Sequence, residues 1–405
     1  MGYQQALNIA DLRRMARRRL PRVAFDFLDG GTEEDQTLAR NRSVFERIQF
    51  RPRTLVDVSQ RSLQTTVFGK TYTAPFGIAP TGAAGLYGFE ADLALARAAR
   101  DAGVPFVLST ASFEPLEKVA RAARGGSLWF QLYMSKDREA ARGLVTRALD
   151  EGYEALIVTT DVPVGGNREY NRRNGFNIPF TINARNLVDG ALHPGWVARV
   201  FLRTLLASGV PRFQNVDARA GGKIIAKPLS EFRARREALD WEDLRWLREI
   251  WPHKLFVKGI LRADDAVRAA ESGADGVFVS NHGGRQLDGA LSPIEVLPQI
   301  RAAVGTRFTV MIDSGFRRGS DIVKAIALGA DMVFVGRPML YGMAAGGEAG
   351  VRHTIDILRT ETDRVLALLG CASLSELDAD FLWAPELTFV PSAPRAADVA
   401  HVRAI

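Results

Sequence analysis

The sequence predicts an α/β protein built on a closed barrel of eight parallel strands, and three observations lead to that prediction. Eight short β-rich runs recur along the chain, each apolar on both faces as a strand covered on two sides is. Alanine-rich helical stretches separate these runs. A chain of 405 residues, of which 47% are hydrophobic, can bury a core of this size in one domain. An open doubly wound sheet is the alternative.

The predicted strands follow one another in a regular order. In the sequence they are FGIAP ending at Pro80, FVLST at Thr110, LWFQLY at Tyr133, ALIVTTD at Asp161, LFVKGI at Ile260, GVFVSN at Asn281, TVMIDS at Ser314 and MVFVGR at Arg337. Helices are predicted at Glu90 to Ala102, Asp137 to Asp150, Ala263 to Ser272 and Gly319 to Leu328. We therefore expect a (β/α)8, or TIM, barrel over residues 1–382, with an N-terminal helical segment and a long insertion at about 163–241. Residues 383–405 are expected to form an arm that wraps a neighbouring subunit, which favours a homo-oligomer.

Composition narrows the classes of partner. The formal charge of +7 suits acidic substrates, phosphates or an anionic membrane surface, and the absence of a dense lysine and arginine tract argues against nucleic acid. The single Cys371 excludes a disulfide framework and a cysteine metal site, so we expect no metal. Without a spanning apolar stretch or a signal-peptide core, the expected location is the cytoplasm.

Reactive side chains are concentrated in VSNHGGRQLDG, Val279 to Gly289, where a predicted strand ends and a loop begins. His282 can accept a proton and Arg285 can hold an anion. Other polar residues collect at the same ends of the strands, where such barrels place their active sites. They are Thr81, Ser109, Gln131, Tyr133, Thr159, Asp161, Lys258, Ser280, Asp313, Arg317 and Arg337. Lys258 follows the apolar LFV, and burying an unpaired ammonium is costly, so a functional role is favoured over a structural one.

The last two strands lead into glycine-containing turns with arginines, IDSGFRRGSD (Ile312 to Asp321) and VGRP (Val335 to Pro338). Backbone N–H groups of such turns bind phosphate. A phosphate site together with a lysine that can face a flavin suggests FMN, whereas NAD is disfavoured because no G-x-G-x-x-G follows a first strand.

Long matching segments identify a family at this point. The chain resembles the FMN-dependent L-2-hydroxy-acid oxidases and dehydrogenases from about Leu7 to Leu382, and within that family it looks most like the members that oxidise (S)-mandelate. The segments are RLPRVAFDFLDGG (Arg19 to Gly31), LVDVSQRSLQ (Leu55 to Gln64), PFVLSTAS (Pro105 to Ser112), DLRWLREIWPHKLFVKG (Asp243 to Gly259) and IDSGFRRGSDIVKA (Ile312 to Ala325).

The resemblance implies a role for each matching residue. His282 is the base, taking a proton from the α-carbon or the hydroxyl, and Asp161 orients it. Arg168 and Arg285 hold the substrate carboxylate, Tyr133 bonds the hydroxyl, and Lys258 stabilises the reduced flavin. The residues implied to bind FMN are Pro80, Thr81, Gly82, Ser109, Gln131, Thr159, Lys258, Ser280, Asp313, Gly315, Arg317, Gly336 and Arg337. Transfer of the electrons as a hydride or through a carbanion stays open.

One substrate-site residue departs from the family. FDFLDGG places Phe27 where most members have a tyrosine that helps to hold the carboxylate. One lost hydrogen bond to a charged group is worth roughly 1.5 to 3 kcal/mol, so small hydroxy acids are expected to bind more weakly. The alternatives are that two arginines suffice, or that the substrate is bulkier or unusual.

Gly82 stands where glycolate oxidase has alanine, and the mandelate-oxidising members share the glycine. We therefore expect a dehydrogenase that reduces a membrane quinone, with an oxidase that produces hydrogen peroxide from oxygen as the alternative. In the insertion, His193 to Phe213 places Trp196, Val200 and Phe201 on one helical side beside Arg199 and Arg203. This composition predicts peripheral contact with the inner face of the cytoplasmic membrane, and packing on the barrel or on a partner subunit is the alternative.

Two other functions fit the sequence less well. A barrel enzyme that resembles IMP dehydrogenase needs a cysteine nucleophile at the barrel rim, and Cys371 lies far beyond the eighth strand. A catalytically silent flavin-binding scaffold has little reason to keep His282, Asp161, Arg285 and Lys258 together. The sequence therefore predicts an FMN-dependent (S)-2-hydroxy-acid dehydrogenase that makes a 2-keto acid.

Overall fold

The computed structural model describes residues 2–134, 137–176, 183–215 and 236–385. Two parts of the predicted insertion, residues 177–182 and 216–235, lie outside the described residues. So does most of the predicted C-terminal arm, from residue 386 onward.

An N-terminal segment of helices and short strands precedes the barrel. It contains helices α1 (Ile9–Arg19), α2 (Arg22–Asp29) and α3 (Gln36–Ser43), strand β1 (Gln49–Phe50), and an antiparallel hairpin of β2 (Thr65–Val67) and β3 (Lys70–Tyr72). The Asn8 side chain accepts the N–H of Asp11 at 2.9 Å, which gives an acceptor to one of the otherwise unpaired N–H donors at the start of α1.

Eight parallel strands close the barrel. In chain order they are β4 (Phe76–Ile78), β5 (Phe106–Ser109), β6 (Leu128–Leu132), β7 (Ala155–Thr159), β8 (Lys254–Ile260), β9 (Gly276–Val279), β10 (Thr309–Ile312) and β11 (Met332–Val335). Each pairs with its neighbour in the chain, and β11 pairs with β4. The predicted strands and the closed barrel are confirmed, and the open-sheet alternative is wrong. Most strands are shorter than the predicted runs because their last residues already turn into the loops of the rim.

Helices surround the barrel and fill the long connection after β7. They are α4 (Ala91–Ala102), α5 (Leu116–Ala122), α6 (Arg138–Asp150), α7 (Glu169–Arg173), α8 (Ala184–Leu192), α9 (Pro194–Trp196), α10 (Arg203–Ser208), α11 (Trp241–Ile250), α12 (Ala263–Glu271), α13 (Pro293–Val304), α14 (Gly319–Ala327) and α15 (Arg337–Leu369). A π-helical stretch, Val197–Leu202, joins α9 to α10. Strand β12 (Leu382–Trp383) pairs with β1. Short 3₁₀ turns occur at Tyr3–Gln5, Val44–Arg47, Ala84–Leu86, Arg236–Ala238, Leu374–Glu376 and Ala379–Phe381.

The four predicted helices correspond to α4, α6, α12 and α14, each within one residue at either end. Asp137 begins α6 because its carboxylate accepts the N–H groups of Glu139 and Ala140. Gly103 ends α4 at a φ of +67°, a backbone conformation that favours glycine. Local capping chemistry therefore places the helix ends close to where the sequence pattern predicts them.

The inside of the barrel is layered. Six strands carry an apolar inward residue and, two positions later on the same face, a buried polar one. The pairs are Val107 and Ser109, Trp129 and Gln131, Ile157 and Thr159, Phe256 and Lys258, Phe278 and Ser280, and Met311 and Asp313. The apolar layer forms one cluster with Val67 and Tyr72 of the β2–β3 hairpin. The polar layer faces the carboxyl ends of the strands.

Helix α3 is bound to the loop that follows β9. The Asp288 carboxylate accepts the backbone N–H groups of Glu34, Gln36 and Thr37 at 2.7 to 3.2 Å, which caps the start of α3. The buried amides of Asn41 and Asn281 bond each other reciprocally at 2.9 and 2.7 Å. The residue directly before His282 is therefore held by a helix outside the barrel.

Candidate active site

A cavity of about 930 Å³ opens at the carboxyl ends of the strands. The predicted site residues that line it are Phe27, Pro80, Thr81, Gly82, Gln131, Tyr133, Thr159, Arg168, Lys258, His282, Arg285, Asp313, Gly315, Arg317, Gly336 and Arg337. The other three lie directly behind this lining, because Ser109 bonds Gln131, Asp161 bonds His282 and Ser280 bonds Lys258. The structure thus places all the predicted site residues in or directly behind the lining of one cavity.

His282 and Asp161 form a buried pair. The imidazole Nδ1 lies 2.9 Å from Asp161 Oδ1, and the second carboxylate oxygen finds no hydrogen-bond donor among the described residues. Burial lowers the pKa of His282, although Asp161 opposes this. Against the cost of burial, the charges of His282 and Lys258 hold the pKa of Asp161 below its ordinary value. Nδ1–H therefore donates to a carboxylate, and Nε2 is left as a proton acceptor.

The backbone turn after β9 aims the imidazole. His282 has a φ of +59°, and the next two residues, Gly283 and Gly284, have φ values of +68° and +70°. A Cβ at Gly284 would lie 2.7 Å from the backbone nitrogen of Leu38 on α3. The two glycines of the HGG motif thus allow a tight left-handed turn and the close approach of a helix.

Tyr133 lies next to the base. Its hydroxyl is 3.3 Å from His282 Nε2, and its backbone N–H donates to Thr110 Oγ1. Burial and the charge of Asp161 raise the pKa of Tyr133. The phenol stays protonated and can donate a hydrogen bond into the cavity.

Lys258 is only 4% exposed, and its charge is compensated inside the protein. Its ammonium is 3.0 Å from Asp313 Oδ2 and donates to Ser280 Oγ at 2.6 Å. Although burial opposes the charge, Asp313 and Asp161 raise the pKa of Lys258. The lysine therefore supplies a permanent positive charge next to the cavity.

Two arginines face the same region from different elements. Arg285 Nη1 donates to the carbonyl of Gly30 at 2.8 Å, and Arg168 Nε donates to the carbonyl of Arg285 at 3.1 Å. Burial and the nearby charge of Arg168 lower the pKa of Arg285. Two guanidinium groups close enough to repel each other are stabilised by an anion between them.

Phe27 packs against both a cation and another aromatic ring. The Arg285 guanidinium lies 5.1 Å from the centre of the Phe27 ring, and the Phe176 ring lies 4.6 Å from it. The ring thus supports Arg285 through a cation–π contact in place of a hydroxyl contact to the substrate.

The remaining polar lining fits a flavin mononucleotide. Ser109, Gln131 and Thr159 form a hydrogen-bonded row on three adjacent strands, with Ser109 Oγ donating to Gln131 Oε1 and Gln131 Nε2 to Thr159 Oγ1, both at 2.9 Å. Such a row can meet the polar edge of a heterocycle, and the buried ammonium of Lys258 lies on the next strand. At the opposite side of the cavity, α15 begins at Arg337 directly after Gly336, so the positive end of a helix meets the cavity wall.

The side of the cavity next to the start of α15 is shaped by close backbone packing. A Cβ at Gly315 would lie 2.1 Å from the carbonyl oxygen of Asn41, so only glycine fits there. The Arg337 side chain donates to the carbonyls of Leu28, Gly283 and Gly30. The Arg337 side chain is thus held by backbone carbonyls, whereas Arg317 lines the cavity from the loop after β10.

Sequence reasoning missed several cavity residues. Gln286 accepts a hydrogen bond from Arg168 and donates to the backbone of Asp161, and its place in HGGRQ was the available signal. Ser314 Oγ accepts the N–H of Gly283 and donates to Asp313, and it stands in the phosphate-loop motif. Arg236, from the end of the insertion, had no signal in a segment rich in arginine.

The segment predicted to contact the membrane packs partly on the barrel and exposes part of its apolar side chains. The sequence predicted Trp196 on the side that contacts the membrane. In the structure its indole N–H donates to the carbonyl of Leu86 at 2.8 Å, so Trp196 packs on the barrel instead. Within the described ranges, no helix is long and apolar enough to span a membrane. Large exposed apolar residues nevertheless cluster on α8 and on the segment from α9 to α10. They are Leu187, Val188, Leu192, Phe201, Leu202, Leu205 and Leu206, and we call them the apolar face.

Comparison with known families agrees with this geometry. The profile of a family described as "FMN-dependent dehydrogenase" matches residues 16–384. That range contains every residue of the candidate site.

Relatives and solved structures match at similar extent. The chain is 48% identical to (S)-mandelate dehydrogenase of Pseudomonas putida over 94% of each sequence. It is 43% identical to an L-lactate oxidase of Nostoc sp., over 93% of this chain and 98% of the relative. A crystal structure of the monotopic membrane protein (S)-mandelate dehydrogenase superposes with a TM-score of 0.86 at 46% identity, covering 94% of this chain and 100% of the other.

Proposed function

The chain belongs to the FMN-dependent dehydrogenase family, and from that premise we propose that it oxidises (S)-mandelate or a related aromatic (S)-2-hydroxy acid to the 2-keto acid and passes the electrons to a quinone. It is an FMN-dependent enzyme of the 2-hydroxy-acid dehydrogenase and oxidase class. The observation that carries the proposal is the His282–Asp161 pair, at 2.9 Å, in a cavity that two arginines also line.

Removal of the substrate proton falls to His282. A neutral imidazole with Nδ1–H bonded to Asp161 has its Nε2 lone pair directed at Tyr133 and the cavity. The proton comes from the hydroxyl or from the α-carbon, and the imidazolium that forms is stabilised by the Asp161 carboxylate. The lowered pKa of His282 keeps the base unprotonated at neutral pH.

Arg168 and Arg285 orient the acid. Their planar guanidinium groups match the two oxygens of a carboxylate, and their mutual repulsion is relieved when that charge arrives. Tyr133 donates a hydrogen bond to the substrate oxygen as it becomes a ketone. Once the carboxylate and this oxygen are held, the α-carbon has few orientations left relative to His282.

FMN, when bound, accepts the two electrons that leave the α-carbon. Lys258 and Ser280 would hold the polar edge of its ring, and the permanent ammonium stabilises negative charge there. Ser109, Gln131 and Thr159 would meet the ring from neighbouring strands. Gly315, Arg317 and the start of α15 would hold the phosphate.

An aromatic substrate is supported by the apolar part of the cavity. Phe27, Phe176 and Phe213 line it together with Leu86. Among the relatives, one is named a mandelate dehydrogenase and another an L-lactate oxidase, so oxygen is the second candidate acceptor. The apolar face favours the quinone, because a quinone dissolved in a bilayer is reached from a surface that lies on the bilayer.

An anaerobic titration of the FMN-loaded protein with (S)-mandelate tests this function. Loss of the visible flavin absorbance is the expected result, and slow return of colour on admitting air is expected for a quinone-linked dehydrogenase. Immediate return of colour identifies an oxidase. No loss of colour with (S)-mandelate, in protein that dithionite reduces normally, rejects the mandelate assignment.

Membrane contact is tested by flotation with vesicles. We expect the protein to float with vesicles that contain anionic lipid, and a Phe201→Ser/Leu206→Ser variant to stay at the bottom of the gradient. The matched control is Leu368→Ser, because Leu368 is 72% exposed on α15 and does not belong to the apolar face. Equal flotation of all three proteins contradicts the proposed contact surface.

A further inference from the structure

Ser314 follows β10 in a backbone conformation that side chains rarely adopt. Its φ is +78°, in the left-handed region that favours glycine, and the next residue, Gly315, has a φ of +89°. A residue other than glycine costs free energy in that conformation unless its surroundings hold it there, and such residues are concentrated at functional sites. Because Ser314 also lines the active-site cavity, its side chain is a candidate for a role in the reaction.

The hydroxyl of Ser314 joins two parts of the site. Its oxygen accepts the N–H of Gly283 at 2.9 Å, and its proton is donated to Asp313 Oδ1 at 2.8 Å. Chemistry fixes these directions, because a backbone N–H can only donate and an ionised carboxylate can only accept. Gly283 follows the base His282, and the other carboxylate oxygen of Asp313 lies 3.0 Å from the Lys258 ammonium. One hydroxyl thus connects the turn of the base to a buried ion pair.

A second serine makes the matching connection. Ser280 Oγ accepts the Lys258 ammonium at 2.6 Å and the backbone N–H of His282 at 3.1 Å. Two consecutive backbone N–H groups of the HGG turn are therefore bonded to serine hydroxyls that also bond the ion pair. The result is a closed network of Lys258, Ser280, His282, Gly283, Ser314 and Asp313. Hydrogen bonds in a buried network strengthen one another, so the loss of one member weakens its neighbours.

We propose that Ser314 is a positioning residue, which fixes the turn of His282 against the Lys258–Asp313 ion pair and so holds the imidazole where it removes the substrate proton. This inference rests on the proposed function, because it takes His282 as the base. Asp161 orients the imidazole ring, whereas the network fixes the backbone from which the ring projects. Displacement of a reacting group by about 1 Å can cost about 10²-fold in rate, so a hydroxyl that acts through the turn can control turnover.

Two variants test the proposal in FMN-loaded protein. Ser314→Ala removes the hydroxyl and keeps a Cβ, whereas Ser314→Gly removes the hydroxyl and suits the φ of +78°. Both should lower the rate constant for reduction of bound FMN by (S)-mandelate about 10- to 100-fold, with KM changed by less than about threefold. Glycine relieves the backbone, so Ser314→Gly should fold even if alanine prevents folding. If Ser314→Gly reduces FMN as fast as the wild type, the hydroxyl has no such role and the proposal is wrong.

Amide hydrogen exchange, followed by mass spectrometry, gives a readout that needs neither substrate nor FMN. We expect residues 279–289 of both variants to exchange faster than in the wild-type protein, because the Gly283 N–H loses its acceptor. The difference should be present in the FMN-free protein as well as in the loaded protein. Faster exchange together with slower flavin reduction links the hydroxyl to the turn.

Ser112→Ala is the matched control. Ser112 Oγ also accepts a backbone N–H, from Glu114 at 2.9 Å, and donates to a buried carboxylate, Asp92 Oδ2, at 2.7 Å. These partners belong to α4 and to the loop after β5, and not to the HGG turn. The control loses the same kind of hydroxyl, yet its rate constant for flavin reduction and its exchange in residues 279–289 should match those of the wild-type protein.

Three further outcomes overturn the proposal. One is slow flavin reduction with unchanged exchange of residues 279–289, and another is equal slowing in Ser112→Ala. The third is weaker FMN binding in a fluorescence titration with normal reduction of the FMN that is bound, which would make Ser314 a cofactor contact. Failure of the proposed function is a different result, because then (S)-mandelate does not reduce FMN in the wild-type protein, while the difference in exchange stays measurable.

Discussion

The two layers inside the barrel differ in what they do, although the same strands build both. On β8, Phe256 packs against Trp129 at 5.4 Å, while Lys258, two residues further, carries a buried charge. On β9, Phe278 packs against Phe334 at 4.9 Å, and Ser280 accepts a hydrogen bond from Lys258. Two residues of an extended strand span roughly 6.6 Å, so stability and chemistry are separated by about that distance.

The two layers should tolerate different substitutions. The apolar layer is stabilised by close packing of aromatic rings, and such packing tolerates little loss of side-chain volume. The polar layer and the loops beyond it contain buried ion pairs and a hydrogen-bonded row of side chains, which serve reactivity. We expect variants in the apolar layer to be less stable but to turn over substrate normally. Variants in the polar layer and the loops beyond it should turn over substrate more slowly at near-normal stability.

The largest effect is expected at the base. His282→Gln should lower kcat with (S)-mandelate by about 10⁴-fold, because the variant loses the imidazole nitrogen that accepts the proton while its partner nitrogen is bonded to the Asp161 carboxylate. Rapid-mixing measurement of flavin reduction tests this, with FMN content and thermal unfolding as controls. A loss of less than tenfold would mean that another group removes the proton.

A substitution in the apolar layer should give the next largest effect. Phe256→Ala should lower the free energy of unfolding by about 3 to 5 kcal/mol, since it leaves a cavity where three aromatic rings meet Phe256. Urea unfolding measures the loss, and kcat per bound FMN is the control. A large fall in kcat for folded protein would contradict the separation of the layers.

Asp161→Asn should be less severe than loss of the base. An amide can still hold the ring but cannot stabilise the imidazolium, so kcat should fall by about 10²-fold. The dependence of activity on pH should also shift in a definite direction. Activity of the wild-type protein should be lost as pH falls through the pKa of His282, which burial lowers from its ordinary value. Because Asp161 raises that pKa, its removal should move the acid limb to lower pH. An acid limb that moves to higher pH would refute the assigned pair.

The smallest effect is expected at Phe27. Phe27→Tyr should lower the KM for (S)-mandelate by about tenfold with kcat unchanged, because the added hydroxyl supplies one hydrogen bond to a charged carboxylate. The ring contact with Arg285 at 5.1 Å should persist in the variant. Steady-state kinetics decide the matter, and an unchanged KM for every hydroxy acid would show that the two arginines suffice.

Most of the barrel could be predicted from sequence alone, because the eight strands and the helices between them were located, although an open sheet remained the alternative. Runs that are apolar on both faces predict strands covered on two sides, and the pairing of β11 with β4 in the structure shows that the sheet is closed. The sequence also indicated the rim, since polar residues that follow an apolar run must lie where the strand ends. Lys258, Asp313 and His282 were found in this way without any knowledge of their partners.

Contacts between residues far apart in the chain could not be predicted from the sequence. Asp288 caps a helix some 250 positions earlier in the chain, Trp196 turns inward to Leu86, and Arg236 stacks on Tyr133. Periodicity reports which face of an element is buried, because that depends on neighbours along the chain. Contacts between a long insertion and the rim depend on how loops pack in three dimensions, and no spacing in the sequence encodes them.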